Sequence, residues 1–306
     1  MRSTDKAHQE LFNTWRAQAR NKPWLTLCFI GSLILILLLV LITAYQGLHL
    51  DNFHYAISGG IAGFLATALG AFLIFFTRNT NLRTQDALLG FAAGMMLAAS
   101  AFSLILPGIE AAEELFGQRL LAAALVVSGI GFGTLMMLGL DYFTPHQQAS
   151  AALCGPECQR LAGIWLFVFA IALHNLPEGM AIGISFTHGD FKIGLPLTLA
   201  IAIQDIPEGF AVALALRSAG LSSNKAFLIG AATGLLEPLG AILGFAMSSS
   251  LAWAYPMSMG LAAGAMIFVV CHEVIPETHR NGNQGTATTG LMIGFALMMF
   301  MDTALG

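Results

Sequence analysis

The chain has 306 residues, 57% of them hydrophobic and only 10% charged, with a formal net charge of −4. Soluble domains carry closer to a quarter charged residues, so the composition excludes a soluble globular protein and places the chain in a bilayer. No basic tract points to nucleic acid as a partner.

Runs of about 20 apolar residues are long enough to cross a bilayer as helices. Nine such runs follow one another, at roughly 25–45, 54–76, 87–107, 119–140, 161–187, 193–216, 225–248, 252–275 and 286–305. Backbone polar groups in lipid must be satisfied within the chain, and barrel strands would be about half as long with alternating polarity. The expected fold is therefore all-α, a polytopic helical membrane protein. The first run follows a polar segment, residues 1–24, reaches Tyr45 and is followed by no Ala-x-Ala site. It reads as an uncleaved transmembrane helix at 25–45 rather than a signal peptide.

Basic residues favour the cytoplasmic side of a membrane. With the N-terminus cytoplasmic, Arg2, Lys6, Arg16, Arg20, Lys22, Arg78, Arg83, Arg160, Arg217, Lys225 and Arg280 lie inside, and only Arg119 and Lys192 lie outside. Nine crossings then put the C-terminus outside. Cys28 and Cys271 fall in apolar runs and read as packing. Cys154 and Cys158 fall in an inside loop, where disulfides are rare; with His146 they offer a loose soft-metal site or a plain loop. Glu110, Glu113 and Glu114 form an acidic group read as an outside loop, either gathering cations or simply solvated.

Glu178, Asp205, Glu208 and Glu237 are placed differently, in the middle of three consecutive apolar runs. An ionised side chain at the centre of a membrane helix costs about 3 kcal/mol. No lysine or arginine falls mid-run to pair with them, so relief must come from protons, water or a bound cation. Spacing favours the cation. The phrase His174-Asn175-Leu176-Pro177-Glu178-Gly179 is echoed by Gln204-Asp205-Ile206-Pro207-Glu208-Gly209. Residues three and four apart share a helix face, so each glutamate reaches both polar residues of its own phrase. Side by side, His174, Gln204 and the two glutamates can enclose one ion, and Asn175, Asp205 and the same glutamates a second. Pro177 and Pro207 free the carbonyls of Leu173 and Ile203, and Glu237-Pro238 repeats the signature. Broken helices at mid-membrane build ion sites in transporters. Imidazole, carboxylate and amide ligands suit zinc, cadmium, iron(II) or manganese better than calcium.

At these residues the sequence resembles the ZIP (Zrt-/Irt-like protein) family of divalent metal transporters, in its bacterial, GufA-like branch. The two phrases match the family's metal-site motifs in helices four and five of its eight, and the resemblance runs from about residue 54 to the end. It implies an eight-helix ZIP-like bundle at 54–306, with the helix at 25–45 as an extra N-terminal span. It further implies a binuclear metal site at His174, Asn175, Glu178, Gln204, Asp205 and Glu208, with Glu237 as the helix-six carboxylate. A homodimer is implied too, as is an elevator-like cycle in which helices one, four, five and six move against two, three, seven and eight. Many eukaryotic members carry histidines where this chain has Gln204 and Glu208, and the histidine-rich loop after helix three is missing, which bears on metal preference.

Met96 can offer a thioether to a soft ion or be packing, and Ser103 can line the same path. Asp141, His272 and Glu273, with Glu277 and His279, fall at an inside end that reads as an exit for released metal or as a wet helix end. His8, His49, His54 and His188 read as solvated, and Asp86 and Asp302 as helix-end residues. The expected function is a carrier of Zn2+ and related ions, Cd2+ among them, across a bacterial inner membrane toward the cytoplasm. Unpaired carboxylates left by a departing ion favour proton uptake, so transport is expected to depend on pH. The alternatives are an intramembrane metallohydrolase and a metal-gated channel.

Overall fold

Apolar runs of this length leave the backbone one solution in lipid, and the computed structural model adopts it throughout. It describes residues 18–46, 51–76, 81–143, 168, 172, 175–218, 220–248 and 251–305. The helices are α1 (Pro23–Gln46), α2 (Phe53–Phe75), α3 (Leu82–Phe116), α4 (Arg119–Phe143), α5 (175–185), α6 (Phe191–Ser218), α7 (Ser223–Ser248), α8 (Ala254–His279) and α9 (Gln284–Leu305). Among the described residues there is no strand, and 8 helices are long and apolar enough to cross a membrane. The chain is thus an all-α, multi-pass membrane protein. The run at 161–187 lies partly outside the described residues, as do His174, His146, Cys154 and Cys158.

Three helices depart from the expected outlines. α3 continues past residue 107 to Phe116, so Glu110, Glu113 and Glu114 stand on a helix and not in a loop. Charge ends the apolar run there, but the hydrogen bonds continue until Gly117, whose φ of 66° closes the helix in the left-handed region. Glu113 pairs with Arg119 at 3.2 Å. α6 stays a single helix through Pro196 and Pro207; one missing donor frees one carbonyl without breaking it. α7 is the helix that breaks, into Ser223–Thr233 and Leu236–Ser248, and Glu237 lies in the first turn of the second half.

α3 and α8 each contain a π-helical stretch, Ala99–Ile105 and Val270–Val274. Both stretches end two residues before a proline, Pro107 and Pro276. Proline cannot donate to the carbonyl four residues back, and the preceding amides shift register instead: Leu106 bonds to Ala101 and Ile275 to Val270. Such π insertions are frequent at functional sites.

Packing follows the glycines. Bilayer lipid gives helices no hydrophobic reason to associate, so small residues that let backbones touch decide who pairs with whom. Gly90 and Gly94 of α3 face carbonyls of α9, while Gly290 and Gly294 of α9 face carbonyls of α3. The same reciprocity joins α4 to α8 (Gly129, Gly133 with Gly260, Gly264), α5 to α7 (Gly179, Gly183 with Gly240, Gly244) and α2 to α6 (Gly70 with Gly209). A β-carbon at any of these positions would run into the partner's backbone. Gly108 of α3, close to Met259 of α8 and Val126 of α4, and Gly60 of α2, against Pro238 of α7, link these pairs into two groups, α3, α4, α8 and α9 against α2, α5, α6 and α7. No glycine approach among the described residues joins one group to the other. α1 stands outside both groups, with Phe29 against Gly139 and Ser32 donating to the carbonyl of Phe132 at 3.3 Å. Leu25, Ile36 and Leu39 are buried on its packed side, while Leu27, Leu37 and Leu41 are exposed, as the lipid-facing side of a helix requires.

Valine at Gly179 or Gly240 must push α5 and α7 apart. Overpacking of this kind costs about 1–3 kcal/mol, which lowers the thermal midpoint of the solubilised protein by about 5 °C. Gly131→Ala, where nothing lies within 4 Å of the added carbon, leaves the midpoint unchanged in the same scan.

Candidate metal centre

Glu178 of α5 meets Gln204, Asp205 and Glu208 of α6, Asn175 is buried one turn before it on α5, and the broken α7 adds Glu237 beside Asp205. Asn175, Glu178, Gln204, Asp205, Glu208 and Glu237 are all buried, none more than 3% exposed. Carboxylate oxygens of Glu178, Asp205 and Glu208 lie within 4.8 Å of one another. Glu237 joins them beside Asp205. A methyl group added to Gly63 of α2 would overlap Oε2 of Glu237 and stand 3.3 Å from Oδ2 of Asp205. The bare backbone of α2 is therefore the wall against which these two carboxylates rest.

Little protein hydrogen bonding satisfies the group. The Gln204 amide donates to Oε1 of Glu178, and the Thr67 hydroxyl donates to Oε1 of Glu237 at 2.8 Å. Among the described residues, nine buried side-chain atoms have no hydrogen-bond partner, and seven of them belong here: Asn175 Oδ1, Glu178 Oε2, Gln204 Oε1, Asp205 Oδ2, both oxygens of Glu208, and Glu237 Oε2. Native proteins leave few such atoms, and here they are all oxygens gathered in one place. The ion pairs found among the described residues lie at helix ends, Arg119–Glu113, His272–Asp141 and Arg280–Glu277, and none involves these four carboxylates. An arrangement of this kind, acceptor-rich and donor-poor, is chemically suited to a divalent cation.

The remaining residues singled out from sequence are dispersed. Met96 is buried on α3, in the same apolar cluster as Met180 and Ala200. Ser103 lies in the first π stretch and donates to Oδ1 of Asp302 on α9 at 2.6 Å. His272 and Asp141 meet at the opposite end of the bundle, Nε2 to Oδ2 at 3.5 Å, with the imidazole stacked on Phe268. Glu273 is half-buried beside His272 in the second π stretch. Asp86 is buried rather than a wet helix end, and its two oxygens accept from Asn281 and Asn283 in the turn between α8 and α9. His188 is not simply solvated: its ring packs edge-on against Tyr255, and burial pushes its pKa down. Cys271 is exposed rather than packed.

Two participants went unread in the sequence, Gly63 and Thr67. Their signal was present: Gly59, Gly63 and Thr67 recur every four residues in α2, the spacing of a close helix contact.

Comparison with known proteins identifies the family. A family model described as ZIP Zinc transporter matches residues 144–302. The zinc transporter ZIPB of Bordetella bronchiseptica is 60% identical over 300 residues, covering 97% of each chain. The zinc transporter GufA of Myxococcus xanthus is 37% identical over 241 residues, covering 79% of this chain and 95% of that one. The zinc transporter ZIP11 of Homo sapiens is 31% identical over 321 residues, covering 78% and 94%. Matched by the family model over more than half its length and by a 60% identical relative almost end to end, the chain belongs to the ZIP zinc transporter family.

Proposed function

We propose that the protein carries zinc, and with it cadmium and to a lesser degree iron(II) or manganese, toward the cytoplasm through two neighbouring cation sites at this centre. Membership of a transporter family makes it a transporter rather than an enzyme. The observation that supports the site is the gathering of seven unpartnered buried oxygens on three helices. Glu178 and Glu208 bridge the ions. His174 and Gln204 complete the first site; Asn175, Asp205 and Glu237 complete the second. Met96 adds a thioether on the path, Ser103 lies toward its outer mouth, and Asp141, His272 and Glu273 receive the ion at the inner one.

The motion fits an elevator-like cycle. Helices joined backbone to backbone move together, and the glycine contacts sort α2, α5, α6 and α7 into one group and α3, α4, α8 and α9 into the other. The first group carries every described residue of the centre except Met96. In the second group, Ser103 and His272 stand in π stretches toward opposite ends. The protein acts as a homodimer in a bacterial inner membrane, with its N-terminus in the cytoplasm and its C-terminus outside. The gathering of basic side chains supports that orientation: Arg217 donates to the carbonyl of Ile74 and Arg83 to Thr286, both at the end where Arg280 also lies.

Purified protein in proteoliposomes takes up zinc saturably, and His174→Ala or Glu208→Ala lowers the initial rate at least about tenfold; uptake surviving both substitutions removes the centre from the path. Elemental analysis of the solubilised protein finds two zinc ions per chain, and Asp205→Asn reduces this to one. Because protons and cations compete for the same carboxylates, zinc flux differs between about pH 5.5 and about pH 8. A flat profile excludes carboxylate protonation from the cycle.

A further inference from the structure

Thr67 belongs to no motif, yet it stands where α2, α6 and α7 meet. It is buried, with 1% of its surface exposed. Its carbonyl faces Gly209, the glycine that ends the second phrase, and its side chain faces Gly234, where α7 breaks. Its hydroxyl bonds to Oε1 of Glu237 at 2.8 Å. That is not the default for a hydroxyl on a helix, which usually returns to a carbonyl three or four residues earlier in its own helix. Ser100, Thr198 and Thr233 do so here. Thr67 instead spends its one proton on a carboxylate of another helix.

The result is an asymmetric carboxylate. Oε1 of Glu237 is engaged, while Oε2 accepts from no protein N–H or hydroxyl and faces the bare backbone of Gly63 beside Oδ2 of Asp205, close enough for the two carboxyls to share a proton when no cation is bound. A carboxylate held this way offers a cation one oxygen. A monodentate carboxylate suits zinc, which takes few ligands in a tight shell. Larger, oxygen-preferring ions take more ligands and gain from a carboxylate that closes on them with both oxygens.

We propose that Thr67 is a positioning residue that sets metal preference: by occupying one oxygen of Glu237, it keeps that side chain monodentate and biases the second site toward zinc over larger ions such as manganese(II). The inference rests on the reading of Glu237 as a ligand of the second site. Gly63 completes the device by leaving room for the free oxygen, and Gly234 by admitting the Thr67 side chain.

The test is competitive binding. Solubilised protein is equilibrated with a mixture of zinc and manganese(II), and the bound metals are counted by mass spectrometry as a manganese-to-zinc ratio. The ratio does not depend on how much of a variant folds. Thr67→Val keeps the shape and removes the hydroxyl; Thr67→Ala removes it without adding bulk, in case valine is not tolerated. Both raise the ratio at least about threefold, the scale of one lost hydrogen bond, and Thr67→Ser restores the wild-type ratio. An unchanged ratio in valine and alanine variants overturns the proposal, and so does an equal rise in the serine variant, which would assign the effect to packing. Glu237→Gln separates this failure from that of the underlying reading. If it alters neither the amount of metal bound nor the ratio, Glu237 is not a ligand and both fall. If it alters either while the Thr67 variants match wild type, only the role of Thr67 falls.

Discussion

Everything in this molecule is arranged around four carboxylates that, among the described residues, have no basic partner in the middle of the membrane. A protein can bury such charge only by supplying counter-charge, protons or exchangeable cations. Here the described surroundings supply one amide and one hydroxyl, too little to neutralise the group. The fold therefore keeps a place whose free energy depends on what enters it. For a carrier that dependence is the useful property. A closed ion pair would be more stable and would carry nothing.

Holding four like charges together requires rigid surroundings. The glycines provide them without using any polar group. Where α5 meets α7 and α2 meets α6, the backbones themselves are in contact, so the carboxylates are fixed by main chain rather than by long side chains. The same residues explain why the motif ends in glycine. Gly179 abuts the carbonyl of Glu237 itself, and Gly209 that of Thr67. The last letter of each phrase thus fastens its helix to the neighbour that completes the centre.

Much of this was legible in sequence for simple reasons. Length and hydropathy mark a membrane helix because lipid leaves the backbone no alternative, and the echo of one phrase in the other anticipated the meeting of Glu178 with Gln204, Asp205 and Glu208. What was not legible depends on tertiary contact. Proline marked Pro207 and Pro238 alike, but only α7 breaks, and it breaks at Gly234–Leu235, where the side chain of Thr67 presses in. The end of α3 was misread because hydropathy reports lipid contact and not helical hydrogen bonding, which continues through Glu110 and Glu113. Thr67 itself gave only a spacing. A single hydroxyl in an apolar run carries no label saying which helix it will bond to.

The pairing of glycines also bears on how the chain is made. α3 and α4 leave the ribosome early, but the helices shaped to receive them, α9 and α8, come last and in reverse order. Between these two events the bare backbone faces of α3 and α4 wait in the bilayer, while α2, α5, α6 and α7 can already assemble among themselves. Synthesis would then complete the half that holds the buried carboxylates first and the other half second. A chain halted before α9 would contain every residue of the centre and still leave α3 without the surface it was built to touch.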